Sequence, residues 1–372
     1  MGVSANELAR KSLSFIRPYV PGKPMEVLFR EKSISRIIKL ASNENPFGPS
    51  PGAVKAIRKK LSEINRYPEG SAFALKEKLG CALKIKSNQI IVGSGSSEII
   101  NMAIQAFCEP GDEIIFPWPS FIIYRILAHA HGAVPVTIRL NNDMSYNMES
   151  FFEKISGKTK LVILCNPNNP TGSHIRKNQL ERFMKNVPDR IVVLSDEAYF
   201  EYVEDPQFGT CMDWLGKKNV IVTRTFSKIY GLAGLRIGYG IASADIIEIM
   251  EKIRPPFNTT SLAQQAALGA IDDHAFIEKS LRNNKREKKF LTENLKNLRF
   301  NVFPSEANFL FCCCKQDAGK ICKELEEKGI IVRPMVGFGI KENFIRITIG
   351  KPFENRLLIK ELSIMMSTRR LA

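Results

Sequence analysis

Lys228 stands just past the apolar run of "NVIVTRTFSK", with Thr225 and Ser227 beside it and Arg236 closing the glycine-spaced stretch "GLAGLR". A lysine at the mouth of a buried strand, close to another cation, has a poorly solvated ammonium. Its pKa falls, and the neutral amine becomes a nucleophile able to bond a carbonyl carbon. The neighbouring hydroxyls and guanidinium suit an anion. Asp196 ends the apolar run of "RIVVLSD". A carboxylate there either caps a helix or faces a cationic nitrogen. Gly95, Ser96 and Ser97, in "VGSGSSEII", join a strand to a helix. The first N–H groups of a helix are unpaired and hold phosphate. The alternative for that stretch is a tight turn with a serine cap.

Taken together these groups ask for one ligand with a carbonyl, a ring nitrogen and a phosphate. Pyridoxal 5'-phosphate carries all three. Other chemistries fail on spacing. A dinucleotide fingerprint needs a third glycine where Glu98 stands, and Asp112 and Glu113 open a strand instead of ending one. "GKT" at 157–159 would need a glycine at position 152, which is Phe152. His129, His131, His174 and His274 form no cluster in the sequence, so no metal is expected.

The elements that must position these residues alternate along the chain. "QIIV", "EIIF", "KLVILC", "RIVVLSD" and "NVIVTRT" read as buried strands, and "SSEIINMAIQAF", "FIIYRILAHA" and "KNQLERFMKNV" as helices between them. Apolar strands alternating with helices imply a mostly parallel sheet covered on both faces, an α/β fold. Ligands in such folds bind beyond the carboxyl ends of the strands, where the unusual residues stand. After about 275 a charged helix leads into "FNVFPSEANFLFCCC", the helix "AGKICKELEEKG", the strands "IIVRPM" and "FIRITIG", and a last helix, which reads as a smaller α+β domain. The expected division is 1–42 as an N-terminal arm and part of the small domain, 43–275 as the large domain and 276–372 as the small one. Pro18, Pro21, Gly22 and Pro24 mark the arm as extended.

The 372 residues are 44% hydrophobic and 25% charged, an ordinary globular composition. The net charge of +16 raises nucleic acid as a partner. Its lysines and arginines are scattered among acids in helical segments, which reads as a solvated surface that steers anionic substrates. No nucleic-acid or membrane partner is expected, because the most apolar stretch, Ile114 to Ala130, holds Pro117, Pro119 and Arg125. The Met1 end has no apolar leader, and the eight cysteines form no framework and read as small buried hydrophobes. A cytoplasmic protein is the expectation.

The ordered set "NENPFGPSP", "NRYPEG", "GSGSSEII", "NPNNPTG", "SDEAY", "TFSKIYGLAGLRIGY" and "FIRITIG" resembles the fold-type I, aspartate-aminotransferase-like pyridoxal-phosphate enzymes. Within them, "RPYVPGKP", "RPPFN" and "SEANF" make the chain most similar to the histidinol-phosphate branch. The resemblance implies a large domain with a mostly parallel seven-stranded sheet, a smaller α+β domain and a homodimer. It implies that Lys228 bonds the cofactor aldehyde and moves the substrate proton, and that Asp196 pairs with the ring nitrogen. Asn169 and Tyr199 would bind the ring hydroxyl, and Phe121 would stack on the ring. Gly95, Ser96, Ser97, Thr225, Ser227 and Arg236 would hold the phosphate, with Tyr67 reaching it from the neighbouring subunit. Arg346 would take the anionic end of the substrate, with Tyr19, Asn43 and Tyr67 around it.

The implied reaction is transamination between histidinol phosphate and glutamate or 2-oxoglutarate. An aromatic amino-acid aminotransferase or a phosphothreonine decarboxylase on the same scaffold, and a non-catalytic anion- or nucleic-acid-binding protein, are the alternatives. Two positions depart from the family pattern. Ser97 stands where many relatives have Asp, and Lys351-Pro352 where Thr is common.

Overall fold

A computed structural model describes residues 3–19, 37–336 and 340–371. Pro21, Gly22 and Pro24 of the expected arm lie outside the described residues. The strands are β1 (Ile38–Lys39), β2 (Ile90–Gly93), β3 (Glu113–Trp118), β4 (Val134–Arg139), β5 (Thr159–Cys165), β6 (Val192–Asp196), β7 (Val220–Thr225), β8 (Gly238–Ile241), β9 (Asn301–Val302), β10 (Phe309–Cys313), β11 (Ile330–Ile331), β12 (Arg333–Pro334) and β13 (Phe344–Thr348).

Seven strands form one sheet in the order β2-β8-β7-β6-β5-β3-β4. β8 alone runs against its neighbours. The other pairings are parallel. β6 and β7 are buried along their whole length, as an apolar run in a two-sided sheet must be. Successive residues serve opposite faces. Val162 and Leu164 enter one core cluster, and Leu161, Ile163 and Cys165 the other. Gly93, Cys165, Asp196 and Thr225 therefore end β2, β5, β6 and β7 along the same sheet edge. Ligands in such sheets sit beyond these carboxyl ends.

A second, antiparallel sheet has the order β12-β13-β10-β9, and β1 pairs in parallel with β11. Helices Ala318–Glu327 and Pro352–Leu371 and the long helix His274–Asn297 pack with it around a third core that includes Leu295, Leu310, Ile345 and Leu358. "IIVRPM", expected as one strand, is two. Ile330–Ile331 pairs with β1 and Arg333–Pro334 with β13, because the chain changes sheets at Val332. The cysteines are buried except Cys81, exposed on the helix Phe73–Leu83, and half-buried Cys313. No helix among the described residues is long and apolar enough to cross a membrane.

Candidate active site

The turn Gly93-Ser94-Gly95 drops from β2 into the helix Ser96–Phe107. No side chain caps that helix, and its N-cap is Gly95 with φ +81°. A Cβ at 95 would collide with the Arg236 guanidinium, so the glycine permits both the left-handed turn and the approach of the cation. A Cβ at Gly238 would sit 2.6 Å from the backbone nitrogen of Ser96. The helix start is thus held against β8, with Arg236 beside it. Arg236 itself adopts φ +53° and donates to the carbonyl of Ala233 at 3.0 Å and to Ser227 Oγ at 3.4 Å. The serine cap considered from sequence is replaced by an open helix start facing a guanidinium and two hydroxyls.

One cavity is lined by Ser96, Ser97, Phe121, Asn169, Asp196, Tyr199, Thr225, Ser227, Lys228 and Arg236, together with Cys165, Ala198 and Ala233. These residues come from the ends of β5, β6 and β7 and the loops beyond them, from the helix start after β2 (Ser96, Ser97) and from the turn after β3 (Phe121). Asp196 is 3% exposed. Its Oδ2 accepts from the Tyr124 hydroxyl at 2.7 Å and its Oδ1 from Thr223 Oγ1 at 3.2 Å. Burial raises its pKa, and these donors and the charge of Lys228 oppose that rise. It caps no helix. Behind it, Glu197 pairs with buried Arg224 at 2.9 Å and accepts from the Cys211 N–H at 3.0 Å, which anchors the turn after β6.

Lys228 projects from the loop after β7. Its Nζ lies 3.5 Å from the Ser42 carbonyl and 5.5 Å from the centre of the Tyr199 ring. Burial, then the charges of Arg346 and Arg236, lower its pKa to about 8, with Glu44 and Asp196 opposing. Phe121 meets Tyr124 edge-on, with ring centres 5.7 Å apart.

Arg346, in the middle of β13, is 8% exposed. Its Nη1 donates to Asn169 Oδ1 at 2.6 Å and its Nη2 to the Ala41 carbonyl at 2.6 Å, while its buried Nε has no partner. Burial, and secondarily Arg333 directly opposite in register on β12, lower its pKa. Among the described residues, Lys228, Arg236 and Arg346 make no ion pair with a carboxylate. Three cations that share one cleft and are not tied up in ion pairs, with Asp196 held by Tyr124 and Thr223, suit an anion. The donor set as a whole fits a ligand bearing an aldehyde, a basic ring nitrogen and a phosphate, with room for a second anion at Arg346.

The remaining expected residues lie elsewhere. Asn43, with φ +55°, is 1% exposed, donates to the Tyr199 hydroxyl at 2.9 Å and accepts from Thr348 at 3.1 Å. It backs Tyr199 and does not line the cavity. Tyr19 is half-exposed, 6.0 Å from the Arg333 guanidinium. Tyr67 is 82% exposed and stacks on Phe257 at 4.7 Å, on an outer concavity that also reaches Arg236. Lys351 has its Nζ 5.9 Å from the centre of the Phe47 ring.

Tyr124 and Arg333 were not foreseen. Tyr124 reads in sequence as one more residue of the helix "FIIYRILAHA", and Arg333 as one charged residue inside the expected strand "IIVRPM".

The chain matches the family Aminotransferase class I and II over residues 35–362. It is 43% identical to the histidinol-phosphate aminotransferase of Caldicellulosiruptor saccharolyticus, over 95% of this chain and 98% of that one. To histidinol-phosphate aminotransferase 1 of Nitrosococcus oceani it is 40% identical over 98% of each chain. A crystal structure of histidinol-phosphate aminotransferase from Sinorhizobium meliloti, in complex with pyridoxal-5'-phosphate, superposes with a TM-score of 0.88 at 26% identity, covering 97% of this chain and 98% of that one. With a mostly parallel seven-stranded sheet, a lysine and a carboxylate at its strand ends, and a family match spanning most of its length, the chain belongs to the class I and II aminotransferases.

Proposed function

We propose that this chain transfers the amino group of L-histidinol phosphate to 2-oxoglutarate, giving imidazole-acetol phosphate and glutamate, a step of histidine biosynthesis, with pyridoxal 5'-phosphate as its cofactor. The observation that carries the reading is Arg346. It is a buried guanidinium with an unpartnered Nε, joined to Asn169 at the edge of the cavity that holds Lys228 and Asp196. The relatives at 43% and 40% identity bear the same substrate in their names.

When bound, the cofactor supplies an aldehyde for the amino group and a ring that draws electrons from the substrate Cα. Lys228 Nζ would bond that aldehyde and, once freed by the substrate amine, would be the base that moves the substrate's Cα proton. A lysine with its pKa near 8 is suited to both tasks. Asp196 holds the proton on the ring nitrogen, and Tyr124 and Thr223 fix the carboxylate. Asn169 and Tyr199 bind the ring hydroxyl, with Asn43 orienting Tyr199. Phe121 covers the ring and helps exclude water. The backbone N–H groups of Ser96 and Ser97, the hydroxyls of Thr225 and Ser227, and Arg236 bind the phosphate, in the space that Gly95 leaves open.

Arg346 binds the substrate's phosphate in one half-reaction and the distal carboxylate of 2-oxoglutarate in the other. A planar fork serves both anions. Arg333 adds charge beside it, and Tyr19 stands next to Arg333 on that same side. We expect a cytoplasmic homodimer to be the acting form. In that dimer Tyr67 would reach the neighbouring subunit's phosphate, a role that its exposure and its stacking on Phe257 support.

The test is an amino-donor panel on purified protein with 2-oxoglutarate as acceptor, comparing kcat/KM for L-histidinol phosphate, phenylalanine, tyrosine and aspartate. The proposal expects histidinol phosphate to lead by at least about tenfold, the discrimination that ~1.4 kcal/mol provides. A preference for an aromatic amino acid overturns the substrate. Release of CO2 from a phosphorylated amino acid without an acceptor overturns the reaction.

A further inference from the structure

A cavity of about 560 Å³ lies outside the cluster around Lys228, between the N-terminal residues and the helix Ile123–Ala130. Its charged lining is Arg17, Arg125 and Arg333, with His129 and Tyr19 among them, and no described residue that lines it is acidic. It abuts the substrate end of the site in two places. Ile122 lines it immediately after Phe121, which lines the cavity of Lys228. Arg333 lines it and stands opposite Arg346 in the β12–β13 register. Arg125 extends one turn along the helix from Ile122, its guanidinium 5.8 Å from the Trp118 ring, and makes no ion pair among the described residues. Its charge is felt locally, since after burial it is the cause that lowers the pKa of His129. Arg17 and Arg125 are exposed, and an open cleft whose described charges share one sign raises the local concentration of counter-ions and speeds their entry.

We propose that this cavity is an outer capture chamber for anionic substrates, in which Arg17 and Arg125 gather molecules bearing phosphate or carboxylate groups before they pass Arg333 to Arg346. It rests on the reading above that the substrates are anions. It also gives part of the chain's +16 charge a place and a purpose. Arg125 acts here through its field alone and is not assigned any contact with the reacting atoms.

The test uses the holoenzyme carrying pyridoxamine 5'-phosphate, mixed rapidly with 2-oxoglutarate and followed by cofactor absorbance. This half-reaction needs no donor, so it reads the chamber whether or not histidinol phosphate is the natural amine. At about 10 mM ionic strength, where charges act over ~30 Å, Arg125→Gln should lower the second-order rate constant by roughly three- to tenfold and leave the saturating rate unchanged. Arg17→Gln should act in the same direction, and Arg125→Lys should keep most of the wild-type rate. At about 0.5 M salt the difference should vanish. An Arg125→Gln rate equal to wild type at low salt, a loss that persists equally at high salt, or a fall in the saturating rate would each overturn the chamber. If the chamber passes and the donor panel fails, only the substrate reading is lost. If 2-oxoglutarate is not consumed at all, both are.

Discussion

The two ends of the cleft are built on opposite terms. At the strand ends of the large sheet, the key charge is tied down: Asp196 accepts from Tyr124 and Thr223, and its neighbour Glu197 is locked to Arg224. At the other end, on the antiparallel sheet, Arg346 keeps a buried Nε without a partner and faces a second arginine across the ladder. A fully hydrogen-bonded group holds its geometry through a reaction cycle. An under-satisfied cation binds whatever anion arrives and releases it again. The first end suits a resident cofactor, and the second suits two substrates that alternate.

The contrast can be broken at its fixed end first. Lys228→Ala should abolish turnover and the borohydride-reducible yellow absorbance of the cofactor-loaded protein. A variant that transaminates at the wild-type rate would remove Lys228 from its role. Asp196→Asn should fold and bind but lose activity on the order of 10³-fold, ~4 kcal/mol of barrier, since an amide cannot hold a ring proton. Circular dichroism separates that loss from unfolding.

Lys228 also gives a pH test. Its pKa is about 8, and the neutral amine is the reactive form, so reactivity is low below that pH and complete above it. The rate at which apo-protein takes up pyridoxal 5'-phosphate should rise with pH toward 8 and then flatten. A break above pH 10 would mean that the burial and the flanking arginines do not act on it. A smaller effect should come from Tyr124→Phe. Losing one hydrogen bond to an ionised group costs ~1.5 kcal/mol, about tenfold in kcat. An unchanged kcat would show that Thr223 alone suffices to hold Asp196.

These two ends were also unequally legible in the sequence. The runs that became β2, β3, β5, β6 and β7 are continuous and apolar, so both their type and the position of Asp196 and Lys228 beyond their ends could be read off directly. β4 is an edge strand of mixed exposure and β8 is "GYGI", half of it glycine, and neither pattern announces a strand. Tyr124 is separated from Asp196 by 72 positions, and only the packing of its helix on the sheet brings its hydroxyl to the carboxylate. Arg333 meets Arg346 through an antiparallel register, which no local pattern specifies. Asn43 was expected, by resemblance alone, around the substrate; its left-handed backbone and its bonds to Tyr199 and Thr348, which put it behind the cavity wall, had no local signal.

The open end is tested most directly by removing the anion and its receptor in turn: kcat/KM for L-histidinol phosphate and for phosphate-free histidinol, in wild type and in Arg346→Ala. A desolvated guanidinium–phosphate pair is charge-assisted and often bidentate, at ~1.5–3 kcal/mol or more. Wild type should therefore favour the phosphorylated amine by at least about tenfold to a hundredfold. In Arg346→Ala that preference should largely disappear, with little change for histidinol itself. A preference that survives intact in Arg346→Ala, or none in wild type, would contradict the assignment of this arginine as the receptor of the substrate's anion.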